Sequence, residues 1–390
     1  MHYFDYAASA PRRDEVTEAM ERWMHGTVGN PSGQHRAARE AKRALEDARE
    51  EIASLMQVPP QGVIFTAGGT EANHIALAGA LARFRRLNGP EANIVVTSVE
   101  HSSVLKTAHH LASLFEGVTV REVNVHDNGF PDPMDLGAKV DQRTAIVSIM
   151  AVNNETGVAM PMEGAIGDAR KRGAPETVYH SDCVAAAPWI YLPAITSGLD
   201  AFSICAHKIG GPVNSGALLL SEPDCLDPVI VGGGQEKSLR GGTVDVAAAV
   251  GLATALRLVQ REREEVCTRV RDYAIRLYAA LSFLPGCAIT AAGHDKVEGI
   301  VHVTFDKLAS EEILFLLDQA GICASAGSSC ASGAAEPSHV MRAMKIWIVT
   351  LFAVGCTSAV VEKVDVYVPT DAPTEAEVCS YNRRPDNPCV

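Results

Sequence analysis

The chain has 390 residues, 47% of them apolar, and a formal net charge of -13. That length exceeds one small core and predicts two packed units, both of which the apolar content can fill. The acidic excess excludes a general affinity for nucleic acid or anionic lipid, which needs clustered Lys and Arg, so any nucleic-acid partner is reached indirectly.

The opening "MHYFDYAASAPRRDEV" has neither a charged n-region nor an apolar h-region, and no long uncharged apolar run follows anywhere. Both points argue against a signal peptide and a membrane span. Next, "HRAAREAKRALEDAREEIASLM" sets Ala37, Ala41, Leu45, Ala48, Ile52 and Leu55 on one face of an amphipathic helix. From about residue 60 to 222, β-rich runs alternate with helical patterns: "GVIFTAGG", "NIVVTSVEH", "VTVREVNV", "TAIVSIMAVNN", "TVYHSD", "AFSICAHK" and "GALLLSE". The alternation predicts a mostly parallel sheet flanked by helices. Then "VDVAAAVGLATALRLVQREREEVCTRVRDYAIRLYAALSFL" reads as one long helix or two consecutive ones. The second unit includes the strand "GIVHVTFDK", the helix "SEEILFLLDQAG" and the small-residue loop "CASAGSSCASGAAEPSH", and the last residues, "YNRRPDNPCV", read as a frayed tail.

Several of the β-rich runs close on polar residues: Thr70 and Glu71, His101, Asn153 and Asn154, Asp182, and His207 with Lys208. Ligands of open α/β sheets gather beyond the carboxyl ends of strands, so these residues can meet there. Lys208 stands alone in "DAFSICAHKIGGPVNSGALLL". A strand-end lysine ordinarily snorkels to solvent. Desolvated, however, its amine loses its proton and becomes a nucleophile for carbonyl compounds. The segment "TAGGTEANHIAL" puts Gly69 and Thr70 in a strand-to-helix turn whose amides and hydroxyl can hold a phosphate. Such turns are also common for steric reasons alone. Asp182 can pair with a protonated ring nitrogen or cap a helix, and His101 can stack on a flat ring or cap the helix after it.

Taken together, these residues and the segments "YFDYAASAP", "GNPSGQH", "FTAGGTEAN", "VEHSSVL", "VNNETG", "HSDCVAA", "CAHKIGGP", "GGGQEKSLRGGT" and "SSCASGAAEPSHVMRAM" span about nine-tenths of the chain. The chain resembles the cysteine desulfurases, pyridoxal-phosphate enzymes of the class V aminotransferase group. The resemblance implies a fold-type-I transferase: a large cofactor domain over 14–255 with a mostly parallel seven-stranded sheet, and a smaller α+β domain from 1–13 and 256–390. It implies that Lys208 carries pyridoxal 5'-phosphate through a Schiff base and that Asp182 keeps the pyridine nitrogen protonated. By the same likeness His101 stacks on the ring and assists proton transfer, and Asn154 bonds the phenolic oxygen. Gly69, Thr70, Cys205, His207 and, across a homodimer interface, Thr243 hold the phosphate. Cys330, in a loop over about 324–340, takes sulfur from L-cysteine as a persulfide, leaving alanine, and passes it to an acceptor protein. Iron-sulfur scaffolds and transfer-RNA or DNA-thiolation enzymes are the acceptor types of this cytoplasmic family. No metal is implied.

The remaining thiols stand singly, without a C-x-x-C pair, as reduced cysteines of a cytosolic protein do. Cys183, Cys205, Cys267, Cys287 and Cys323 fall in apolar runs and are expected in the core. Three positions depart from the family pattern. Cys205 stands where a phosphate-binding serine is usual, and a thiol is a weak donor. Ala185 replaces a glutamine that contacts the phenolic oxygen, a loss worth ~1 kcal/mol of binding. No arginine occurs between Arg342 and Arg383, where the family places the one that forks the substrate carboxylate, leaving Lys345 or Lys363 as substitutes. The alternatives are therefore a related lyase or aminotransferase, selenocysteine lyase among them, and an inactive cofactor-binding scaffold in a sulfur relay.

Overall fold

The computed structural model describes residues 1–26, 29–306, 308–327 and 338–346, together with the backbone of 349–353. In chain order it begins with β1 (His2–Tyr3), α1 (Asp14–Met24) and α2 (Arg36–Met56). The seven β-rich runs of the sequence then become β2 (Val63–Thr66), β3 (Ala92–Thr97), β4 (Val118–Val123), β5 (Thr144–Ser148), β6 (Val178–Asp182), β7 (Ala201–Cys205) and β8 (Gly216–Leu220). They form one sheet in the order β2-β8-β7-β6-β5-β3-β4. The neighbours from β4 to β7 pair in parallel, and β8 runs antiparallel to both β7 and β2. Two antiparallel steps restore the direction, so β2 ends at the same sheet edge as β7.

Helices intervene between the strands: α3 (Gly69–Asn88), α4 (Ser102–Leu114), α5 (Pro133–Lys139), α6 (Met162–Arg170) and α7 (Leu192–Thr196). Side chains alternate across the sheet. Ile94 and Val96 join Ile75, Leu81, Phe84, Val104 and Leu111 of α3 and α4 in one core. Val95, one residue out of phase, joins Phe65, Val147 and Phe202 in a second core with Val16, Leu45, Ile52, Leu252 and Leu256. Burial on both faces explains why β3, β5 and β8 read as nearly continuous apolar runs, whereas edge strand β4 exposes part of its length.

The long helical pattern is one helix, α8 (Val246–Ser282). Its first half packs on α1 and α2; farther along, Ala274, Leu277, Tyr278 and Leu281 cover Val301, Val303 and Phe305. Those last three belong to β10 (Val301–Phe305), which lies between β9 (Cys287–Ile289) and β12 (Val349–Ala353) in an antiparallel sheet. Helix α9 (Ser310–Gln319) packs there as well, and β11 (Ile322–Cys323), which follows it, pairs with β1. Helix α10 (His339–Ala343) comes after residues 328–337. Among the described residues no helix is long and apolar enough to cross a membrane.

Two expectations need correction. The buried face of α2 is Ala38, Ala41, Leu45, Ala48, Arg49, Ile52, Ala53 and Met56, so it takes in Arg49, which pairs with buried Glu236, while Ala37 and Leu55 are half-buried. Of the cysteines expected in the core, Cys183 and Cys205 are buried, but Cys267, Cys287 and Cys323 are only partly covered. Those three sit on α8, β9 and β11, outside the doubly covered sheet. Cys330, Lys363 and the tail "YNRRPDNPCV" lie outside the described residues.

Candidate active site

One edge of the seven-stranded sheet collects the polar strand ends. Strand register sets Thr66 of β2 and Cys205 of β7 on either side of Gly216, the first residue of β8. A Cβ at Gly216 would lie 2.8 Å from Cα of Gly68 and 2.7 Å from the Ile204 carbonyl oxygen, so the turn after β2 closes onto β8 only because glycine stands there. That turn, Ala67–Gly68, opens α3, whose first intrahelical bond runs from Ala72 N to Gly68 O at 3.1 Å. The amides of Gly69, Thr70 and Glu71 therefore precede the helical ladder, and among the described residues no side chain caps them. They form an anion cradle, with Val184 and Cys205 packed beside Gly69.

Asp182 closes β6 and is 4% exposed. Its Oδ1 accepts from Val184 N at 3.0 Å and its Oδ2 accepts from Asn73 Nδ2 at 2.7 Å. The Asn73 amide donates also to Ser103 Oγ at 2.8 Å, and Ser103 Oγ lies 2.7 Å from His101 Nδ1. With the Ser103 backbone N–H donating to the same Nδ1 at 3.1 Å, that nitrogen is an acceptor, and the proton of the neutral ring sits on Nε2. Burial holds His101 below the ordinary imidazole range; the Lys208 ammonium pushes the same way and Asp182 opposes both. A continuous chain Asp182–Asn73–Ser103–His101 thus joins the buried carboxylate to a neutral imidazole.

Lys208 sits in a short 3-10 turn, His207–Ile209, directly after β7. Gly210 ends this turn in the left-handed region, φ +75°, where a Cβ would lie 2.7 Å from Arg13 Cγ. The N-terminal segment wraps over the turn through Ala10 N to His207 O (2.8 Å) and Arg13 N to Gly210 O (3.0 Å), and the Ala7 carbonyl accepts from Lys208 Nζ. Burial, and then the adjacent Lys208, push His207 down to about 4, so its imidazole is neutral. Burial pushes the Cys205 thiol up to about 12, leaving it protonated. Asn153 is an organiser of its turn, donating to Val99 O (3.0 Å) and accepting from Glu155 and Thr156, whereas Asn154 beside it is half-buried and shows no side-chain hydrogen bond among the described residues. Thr243 is exposed just before α8, Ala185 is half-buried, and Lys345 is exposed and faces Asp127 at 3.8 Å.

Sequence reasoning missed Asn73, Ser103 and Glu100. The first two carried a legible signal, short polar residues on the inner face of α3 and in the first turn of α4. Glu100 is wholly buried; its Oε1 accepts from Thr97 Oγ1 and Met150 N, both at 2.7 Å, while its backbone oxygen lies 2.8 Å from His339 Nε2. Burial pushes its carboxyl from 4.5 up to about 8, against those two bonds and with help from Asp182. The folded protein therefore keeps a proton that the unfolded chain releases between these values. The resulting stability is full below pH 4.5 and is lost as pH rises through 8. Glu100→Gln, which cannot ionise, is expected to flatten that loss: by calorimetry the variant melts about 5 °C above the wild type at pH 9 and close to it at pH 5. A wild-type melting temperature independent of pH over that range would contradict this account.

A doubly wound sheet with an amine, a buried carboxylate and an anion cradle at one carboxyl edge defines a fold-type-I pyridoxal-phosphate enzyme. The class V aminotransferase family matches residues 2–364, and the chain belongs to that family. It is 37% identical over 350 residues to an IscS-like cysteine desulfurase of Mycobacterium tuberculosis, covering 89% of this chain and 88% of the relative. To the cysteine desulfurase IscS of Dictyoglomus turgidum it is 35% identical, covering 88% and 86%. A solved NifS-like protein superposes with a TM-score of 0.82 at 28% identity, covering 91% of this chain and 93% of that one. Pyridoxal phosphate is the cofactor of the family. The residues present fit it: uncapped amides for its phosphate, a buried carboxylate for its ring nitrogen and an amine for its aldehyde.

Proposed function

We propose that this chain is a cysteine desulfurase: L-cysteine gives L-alanine, and its sulfur passes to Cys330. The observation that carries the reading is the Asp182–Asn73–Ser103–His101 chain beside Lys208, and the names of the relatives supply the substrate. Pyridoxal phosphate, when bound, supplies a sink for the electron pair left as the substrate Cα loses its proton.

The chain's own residues do the rest. Lys208 would hold the cofactor through its aldehyde, and its amine is the base placed to take the substrate Cα proton. Asp182, fixed by Asn73 and Val184, holds a proton at the pyridine nitrogen. His101, whose Nε2 proton is set by Ser103 at Nδ1, would cover the ring and offer that proton. Gly69, Thr70 and His207 would bind the phosphate, with Cys205 a weak contributor, and Asn154 would bond the phenolic oxygen. In a homodimer Thr243 would contribute to the phosphate site of the neighbouring copy. The Cys330 thiolate attacks the substrate sulfur: the C–S bond breaks, an S–S bond forms, and the carbon is protonated, so L-cysteine and one thiol become L-alanine and one persulfide without an outside oxidant. A thiol of an acceptor protein then takes the terminal sulfur. The protein works in the cytoplasm.

Incubation with L-cysteine, without reductant or acceptor, is expected to yield one alanine per subunit and one sulfane sulfur, mapped by mass spectrometry to the peptide of Cys330. Alanine without bound sulfur, or neither product, contradicts the proposal.

A further inference from the structure

The motif "GGGQEKSLRGGT" supplies Thr243, yet the structure invests its earlier residues in something else. Glu236, Lys237 and Ser238 all lie in the left-handed region, φ 45°, 57° and 66°, which side-chain-bearing residues avoid. Three in succession persist only where the surroundings impose them.

Two ion pairs impose them. The Glu236 carboxylate, 6% exposed, takes a two-pronged grip from Arg49, 5% exposed: Nη2 to Oε1 at 2.8 Å and Nη1 to Oε2 at 3.0 Å. The same two side chains meet the outer edge of β2, where Phe65 N donates to Glu236 Oε2 at 2.7 Å and Arg49 Nη1 donates to Val63 O. β2 is an edge strand, and the Arg–Glu pair satisfies its backbone as another strand would. At the far end of the segment Arg240 Nε donates to Glu71 Oε1 at 2.9 Å, while Glu71 Oε2 accepts from Ala67 N. Between the two pairs the segment closes on itself, Gly241 N to Ile230 O at 2.6 Å and Gly242 N to Gln235 Oε1 at 3.2 Å. One pair therefore grips the middle of β2 and the other the turn that follows it, Ala67–Thr70.

We propose that Arg49, Glu236 and Arg240 are positioning residues of the cofactor site: through Phe65 and Glu71 they hold the Ala67–Thr70 phosphate turn in shape without touching the cofactor. The inference rests on the reading of that turn given under the proposed function. A turn whose amides must all aim at one anion is sensitive to small displacements, and Glu71 is tied both to the turn's first amide and to a guanidinium on the neighbouring segment. The fork geometry matters as much as the charge.

The experiment compares Arg240→Gln, Arg240→Lys, Glu236→Gln and, as control, Arg86→Gln. Arg86 makes a two-pronged pair with Asp227, the same chemistry at the other end of α3. Apoprotein is titrated with pyridoxal phosphate, and amide exchange over residues 66–72 is measured without cofactor. Arg240→Gln is expected to bind about tenfold more weakly, the worth of one charge-assisted hydrogen bond, with faster exchange in that turn and a melting temperature within about 2 °C of wild type. Arg240→Lys recovers part of the affinity, and Arg86→Gln binds as wild type does. Affinity within twofold of wild type and unchanged exchange in Arg240→Gln would overturn the proposal, and that variant alone decides if Glu236→Gln fails to fold. Wild-type protein that takes up no cofactor would instead overturn the underlying function, while the exchange measurement still judges the ion pairs.

Discussion

A Lys208→Ala variant is expected to lose cysteine turnover by at least about a thousandfold and to take no pyridoxyl label after borohydride treatment, whereas wild-type protein is labelled at the Lys208 peptide. The lysine does two jobs on the proposed reading, attachment of the aldehyde and removal of the Cα proton, and no second amine stands at the end of β7. Folding should barely notice. Lys208 is half-buried and its amine contributes a hydrogen bond to Ala7 O, while the turn is held by backbone bonds from Ala10 and Arg13 and by Gly210. The apoprotein melting temperature is therefore expected within about 3 °C of wild-type apoprotein. A label on a different lysine, or turnover retained, would dismantle the site assignment.

Cys330→Ala separates desulfuration from its sister reactions. The variant is expected to keep the Lys208 label at full stoichiometry and to lose alanine release from cysteine by about a thousandfold or more, because on the proposed reading it lacks the thiol that attacks the substrate sulfur. Cys183 and Cys205 cannot stand in: burial pushes both thiols up to about 12, so neither is a thiolate at neutral pH. An aminotransferase would be indifferent to the substitution. A scaffold without activity would bind cofactor in both proteins and turn over in neither, an outcome that the absence of arginine between Arg342 and Arg383 makes worth measuring.

The seven strands of the large sheet were legible as short β-rich runs, β3, β5 and β8 nearly all apolar because both faces are buried, and β4 alternating because its edge is partly exposed. The order of the strands was not legible, since pairing is a contact between segments far apart in sequence. The face of α2 illustrates the limit. A period of 3.6 marks the apolar stripe, but Arg49 lies within it, and Glu236, 187 residues away, forks its guanidinium and makes its burial tolerable together with Glu46 and the Val63 carbonyl. Likewise the helical pattern after residue 245 left one helix or two open. Contact with α1 and α2 at one end and with β10 at the other accounts for a single 37-residue helix.

By itself the sequence determined where the amine, the ring-facing carboxylate, the imidazole and the glycine turn fall along the chain, because each ends a run whose hydrophobicity announces a strand. Tertiary structure decided what those groups are chemically. Asn73 and Ser103 choose the tautomer of His101, complete burial makes Glu100 an acid that keeps its proton, and Arg49 with Glu236 closes the edge of β2. Each of these depends on desolvation or on a partner in another element, and neither quantity is carried by local spacing.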